Sequence, residues 1–237
     1  MVKWSSSRET DLVKFLAEIM IKFIRGLLLL LWMSAWVSSA GAALKEPVIV
    51  VLGDSLSAGY QLPAEDAWPV LLEQALRDQG LKYRVINAGI SGDTTAGGLA
   101  RLPQLLSSYH PHCLIVELGA NDGLRGLSLQ QAERNLAEII EQALASGSQV
   151  LLVGMQIPRN FGPRYSDFFQ QMYPRLSERY SIPLMPFLFV SLNEDPELFL
   201  SDMLHPNRRG HQLMMKDMLA SLQRHQLVTG NVVKEVE

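Results

Sequence analysis

Val48-Ile49-Val50-Val51-Leu52-Gly53-Asp54-Ser55-Leu56-Ser57 constrains this chain more than any other stretch. An apolar, mostly β-branched run leads straight into a glycine, an acid and a serine. Such a run, ended by a turn signal, predicts a strand buried on both faces. Strands of that kind belong to parallel sheets covered by helices. Open parallel sheets take their ligands at the carboxyl ends of the strands, so Ser55 stands where chemistry is expected. A serine at this place serves equally well as a helix cap or a turn residue, and this stretch alone leaves both roles open.

The rest of the chain repeats the strand-then-helix pattern. Trp68, Leu71, Leu72, Ala75 and Leu76 mark one apolar helix face, with Asp66 as its cap, Pro69 in its first turn and Gly80 at its end. A second strand is predicted over 83–90, and a helix carrying Leu99, Leu102, Leu105, Leu106 and Tyr109 follows despite Pro103. A third strand covers 113–118, and a long helix capped by Ser128 runs on to Gly147. Strands over 150–153 and 182–189 and a last helix over 207–225 complete the series. Alternation of this kind is the pattern of a doubly wound α/β fold. With right-handed crossovers, all five strand ends lie on one rim of a three-layer α/β/α domain.

Composition narrows the function. The formal net charge of −3 and the absence of a basic stripe leave no electrostatic footprint for nucleic acid. Cys113 is the only cysteine, which excludes an intramolecular disulfide and a cysteine-based zinc site. The N-terminus has the order of a secretory signal peptide: Lys22 and Arg25, an apolar run over 27–37, and small residues at Ala40 and Ala42. An uncleaved anchor is the competing reading, weakened by Lys14, Glu18, Lys22 and Arg25 within the adjoining stretch. Residues 1–42 are thus expected to be a signal peptide, with Met20 a candidate true initiator, and residues 43–237 the functional domain. A periplasmic location follows from that expectation.

Four rim loops carry residues suited to acyl transfer: Ser55, Gly92, Asn121, and Asp202 with His205. Acyl transfer needs a nucleophile, a base, a group orienting the base, and donors for an oxyanion. Ser55 supplies the first and His205 the second. Asp202, three residues earlier, can hold the His205 tautomer. The backbone N–H groups of Ser55 and Gly92 and the Asn121 amide supply the donors. Each residue also has an ordinary structural role, as cap, turn or solvated loop. Their joint placement at four strand ends favours chemistry.

Gly53-Asp54-Ser55-Leu56-Ser57, Ile90-Ser91-Gly92-Asp93-Thr94, Gly119-Ala120-Asn121-Asp122 and Asp202-Met203-Leu204-His205-Pro206 resemble, in order, the four blocks of the SGNH (GDSL) hydrolase family. The likeness covers nearly all of the chain after Val48. It is strongest to the bacterial periplasmic subgroup with acyl-CoA thioesterase, lysophospholipase and arylesterase activities. Gly59-Tyr60, Ala67-Trp68-Pro69, Gly98-Leu99-Ala100-Arg101-Leu102-Pro103 and Asn121-Asp122-Gly123-Leu124-Arg125-Gly126 also match that subgroup. The resemblance implies a flavodoxin-like fold with strand order 2-1-3-4-5. It implies Ser55 as nucleophile, His205 as base, Asp202 as its partner, and an oxyanion hole of Ser55, Gly92 and Asn121. It further implies an acyl-serine intermediate, acyl ester, thioester or lysophospholipid substrates, no cofactor and no metal. A monomer with at most peripheral membrane contact is expected. One departure is Gly89, where the best-known member carries serine; it is expected to alter a strand end rather than catalysis.

Residues 122–127 are expected to close over substrate with Gly123 and Gly126 as hinges. Phe161, Tyr165, Phe168 and Phe169 are candidates for an acyl groove, with at least two of them expected in the core. Arg159 and Arg164 stand between phosphate contact and plain solvation. A nucleotide- or flavin-binding module is the main rival reading; the G-x-G-x-x-G spacing it needs is absent. A non-catalytic acyl carrier and a sugar deacetylase on the same blocks are the others. A metal hydrolase has no H-E-x-x-H support.

Overall fold

The computed structural model describes residues 46–157, 159–192 and 195–229, together with residues 14, 16 and 18–25, which are helical. The chain divides into two compact units, Met1–Lys45 and Glu46–Glu237, and each is described by itself. The apolar run over 27–37 and the expected cleavage site at Ala40 and Ala42 lie outside the described residues. Among the described residues no helix is long and apolar enough to cross a membrane.

The second unit is built on a five-stranded parallel sheet. The strands are β1 (Val48–Gly53), β2 (Arg84–Asn87), β3 (Cys113–Glu117), β4 (Gln149–Val153) and β5 (Leu184–Met185), in the order β2-β1-β3-β4-β5. Every residue of β1 and β3 is buried, as the apolar runs over 48–52 and 113–116 require. Their register pairs Val51 with Ile115 and Gly53 with Glu117. Each fully buried Val, Ile or Leu in this core contributes about 1.5–3 kcal/mol over an exposed one.

Helices α1 (Ser55–Ala58), α2 (Trp68–Asp78), α3 (Thr95–Tyr109), α4 (Ala120–Leu124), α5 (Leu129–Ala145), α6 (Pro163–Tyr180) and α7 (Arg208–Arg224) complete the unit. Helices α2 and α7 pack on each other, as do α3 with α5 and α5 with α6. Right-handed crossovers put these two groups on opposite faces of the sheet, giving three layers. Side chains cap three of these helices, Ser128 among them as expected. Thr94 accepts the Gly97 N–H ahead of α3, Ser128 the Gln131 N–H ahead of α5, and Asn207 the Arg209 and Gly210 N–H groups ahead of α7.

Three expectations need correction. The strand expected over 182–189 is only Leu184–Met185, because Pro183 and Pro186 flank it and neither has an N–H for the ladder. The strand expected over 83–90 stops at Asn87, although the Ala88 and Ile90 N–H groups still reach Val51 O and Gly53 O. Asp66 does not cap α2. Ala67 holds that position without a side-chain bond, and Asp66 instead ends a 3-10 turn and pairs with Arg208 at 2.7 Å.

Candidate active site

Ser55 begins α1 immediately beyond β1. Asp54 caps that turn, its Oδ1 accepting the Leu56 N–H at 3.0 Å. The serine hydroxyl lies 2.9 Å from His205 Nε2, and His205 Nδ1 lies 2.7 Å from Asp202 Oδ2. A carboxylate only accepts, so Nδ1 carries the proton and Nε2 is free to accept from Ser55 Oγ–H. The Asp202 carboxylate also organises its own loop. Its Oδ1 accepts the Leu204 and His205 N–H groups at 2.9 and 3.0 Å, closing a turn in which Met203 has φ +56°. Partial desolvation raises the Asp202 pKa, but the hydrogen bonds from His205 and Leu204 outweigh it and hold the carboxyl down at about 2. The Tyr60 ring covers the imidazole, with centroids 4.3 Å apart.

Of the three expected oxyanion donors, the Asn121 amide is tied to Asp54 beside Ser55, and Gly92 and Asn121 share Arg125 Nη2 as a partner. The Ser55 N–H is an orphan of the first turn of α1, and among the described residues no acceptor takes it or the Gly92 N–H. Gly92 has φ +79°, a conformation that glycine adopts without steric cost. The Asn121 amide donates from Nδ2 to Asp54 Oδ2 at 2.9 Å, and its Oδ1 lies 3.4 Å from an Nη2 donor of Arg125. Asn121 itself belongs to α4. Its neighbour Asp122 is buried and anchors that helix, accepting the Thr95 N–H at 2.9 Å and the Thr95 hydroxyl at 2.7 Å. Asn135 of α5 donates to the same hydroxyl at 3.0 Å. Arg101 ties the loop after β2 to the sheet, bonding Asp93 at 2.8 Å, Ala88 O at 2.6 Å and Gly53 O at 3.0 Å.

Next to the turn that carries Ser55 lies an acid that sequence reasoning missed. Glu117, at the end of β3, is fully buried, and its Oε2 accepts the Ser57 hydroxyl at 2.7 Å and the Asp54 N–H at 3.3 Å. Burial, reinforced by the neighbouring Asp54 charge, pushes the Glu117 carboxyl well above the usual carboxylate range. Desolvation likewise lifts Asp54 to about 6, against the hydrogen bonds from Leu56 and Asn121 that favour its charged form. Glu117 closes an otherwise apolar strand, and a lone acid in that position was the available signal. Tyr60 and Arg125 stood within quoted motifs, yet motif membership gave no sign of what they touch.

Other expectations sort as follows. Gly89 packs closer to α1 than a strand end suggests, since a Cβ there would come within 2.5 Å of the Ala58 backbone nitrogen in the turn that carries Ser55. Gly123 is buried inside α4, where a Cβ would meet the Phe169 ring at 2.7 Å, so close packing rather than hinge freedom explains that glycine. Phe169 is core, whereas Tyr165 and Phe168 line a cavity of about 370 Å³ with Leu127, Leu129 and Arg164. Phe161 is exposed and stacks on Tyr165. The Arg159 side chain and Pro158 lie outside the described residues. Cys113 is buried, and burial raises its thiol to about 12. Among the described residues, no cluster of three His, Cys, Asp or Glu side chains is placed to hold a metal ion.

Comparison with known proteins shows the family and the fold. The family model for the GDSL-like lipase/acylhydrolase family matches residues 51–213. An arylesterase of Vibrio mimicus is 45% identical over 177 residues, 75% of this chain and 88% of that one. The thioesterase 1/protease 1/lysophospholipase L1 of Escherichia coli K12 is 42% identical over 175 residues, 74% of this chain and 83% of that one. The crystal structure of the psychrotrophic esterase EstA from Pseudoalteromonas sp., inhibited by monoethylphosphonate, superposes with a TM-score of 0.73 at 36% identity, covering 76% of this chain and 98% of that one. In matched span and sequence identity alike, this chain belongs to the GDSL-like lipase/acylhydrolase family.

Proposed function

We propose that the protein is a serine esterase that hydrolyses acyl esters and thioesters, lysophospholipids among them, through an acyl-serine intermediate. The observation that carries the reading is the unbroken line from Asp202 through His205 to Ser55, with bonds of 2.7 and 2.9 Å. Ser55 Oγ attacks the acyl carbonyl while His205 Nε2 takes its proton. The carbonyl oxygen becomes an oxyanion among the Ser55 N–H, the Gly92 N–H and the Asn121 amide. Collapse of that intermediate expels the alcohol or thiol, which receives the proton from His205. Water then attacks the acyl-serine, His205 again acting as base, and the fatty acid leaves. Asp202 stays ionised throughout and stabilises the imidazolium that forms twice per cycle.

The acyl chain is assigned to the cavity lined by Leu127, Leu129, Tyr165 and Phe168, whose apolar surfaces suit a hydrocarbon tail. Residues 1–42 act as a cleaved signal peptide in this reading, and residues 43–237 work in the periplasm as a monomer, touching membranes at most peripherally. The substrate range is supported by the names of the relatives, which include arylesterase, thioesterase and lysophospholipase. Ser55→Ala is the direct test. It is expected to cut turnover of a p-nitrophenyl acyl ester, a long-chain acyl-CoA and a lysophospholipid by about 10⁴- to 10⁶-fold. A parent protein as inactive as the variant on all three would remove the acyl-chain reading.

A further inference from the structure

One cation in the site has no part in the mechanism above. Arg125 immediately follows α4, and its side chain is exposed at the rim. A single atom of it, Nη2, donates to Gly92 O at 2.8 Å and to Asn121 Oδ1 at 3.4 Å. Gly92 and Asn121 come from different loops and are two of the three donors assigned to the oxyanion. The two groups are close enough that a Cβ at position 92 would lie 3.1 Å from that same nitrogen.

The consequences for Asn121 follow from donor and acceptor types. Its amide stands between two groups of opposite kind: Asp54 Oδ2, which accepts from Nδ2, and Arg125 Nη2, which donates to Oδ1. Turning the amide over would set its oxygen against a carboxylate and its NH₂ against a guanidinium, losing both bonds. The second Nδ2 hydrogen therefore keeps one direction. Withdrawing electron density at Oδ1 also makes that N–H a better donor. On the Gly92 side, holding the carbonyl fixes the peptide that follows the left-handed residue, and with it the orientation of the loop carrying the Gly92 N–H.

We propose that Arg125 is a positioning residue for the oxyanion hole, clamping the Gly92 loop and the Asn121 amide into one preorganised donor set. The proposal rests on the acyl-serine reading. Preorganised donors act on the tetrahedral state and little on the ground state, so the loss on removing the clamp belongs in kcat.

The test compares Arg125→Met, Arg125→Lys and Ser55→Ala in the full chain. Arg125→Met is expected to lower kcat on p-nitrophenyl butyrate about 10- to 100-fold, with KM changed by less than about threefold and Tm unaltered. Affinity for phenylboronic acid, which forms a tetrahedral adduct with a nucleophilic serine, should fall by the same factor as kcat. Both contacts come from one nitrogen, so an ammonium can replace it, and Arg125→Lys should recover most of the loss. The proposal is overturned if kcat of Arg125→Met stays within twofold of the parent, or if the loss lies in KM. It is equally overturned if boronate affinity does not follow kcat, or if Lys does no better than Met. Activity that survives Ser55→Ala overturns the acyl-serine reading and this proposal together. Activity lost in Ser55→Ala but untouched in Arg125→Met overturns the role of Arg125 alone.

Discussion

His211 shows how one residue couples stability to pH. It is buried in α7, and its Nδ1 accepts the Trp68 N–H at 3.1 Å. Burial, with a smaller contribution from the His205 charge and against that of Asp66, lowers its pKa from 6.5 to about 4. A neutral imidazole accepts the Trp68 N–H, whereas a protonated ring faces it with a second donor. Between pH 6.5 and 4 the unfolded chain binds a proton here that the folded chain does not. Stability therefore falls as pH drops through that window and is fully present above it. The group accounts for about 3 kcal/mol across the window. His211→Gln keeps an acceptor for Trp68 and removes the titration. Its stability relative to the parent should improve by roughly that amount from pH 7 to pH 4.5 in urea unfolding, and an equal difference at both pH values would dispose of the assignment. The tertiary partner Trp68 lies far away in sequence, so nothing in the local pattern around His211 disclosed this role.

At the scale of elements, the proposed oxyanion donor Asn121 depends on how α3, α4 and α5 are fastened together. Asp122 takes both polar hydrogens of Thr95 at the start of α3, and Asn135 of α5 completes the cluster. Asp122→Ala leaves a buried Thr95 N–H without an acceptor, at a cost of about 1–3 kcal/mol. Because α4 also carries Asn121, kcat should fall as well. Denaturant midpoints and turnover of the same variant check the two effects, and a stability loss with kcat intact would mean that Asn121 is held by Asp54 and Arg125 alone. The sequence announced α5 through Ser128, whose cap acts within a few residues. It gave poorer notice of β5, where the apolar run over 182–189 is interrupted by Pro183 and Pro186. An apolar run reports burial, while ladder pairing also requires N–H groups in the right places.

For the molecule as a whole, the sheet and everything described at its rim lie in Glu46–Glu237, one of the two compact units. A chain beginning at Ala43 is therefore expected to fold and to match the full chain in turnover on a p-nitrophenyl ester. Loss of cooperative thermal unfolding in the shortened chain would show that the first unit is needed for folding. N-terminal sequencing of the protein purified from cells that express the full chain checks the expected cleavage after Ala42. The amino-acid sequence by itself determined the parallel α/β layering, since buried strands and amphipathic helices are written in the spacing of apolar residues. It also determined the Asp202–His205 pair, because three residues span that contact. Only the tertiary structure decided how Ser55 and His205, 150 positions apart, come to 2.9 Å, that Glu117 is buried against Ser57 and Asp54, and that one nitrogen of Arg125 bonds both Gly92 and Asn121. These contacts join side chains from separate strand ends, and their geometry exists only once the sheet has set those ends side by side.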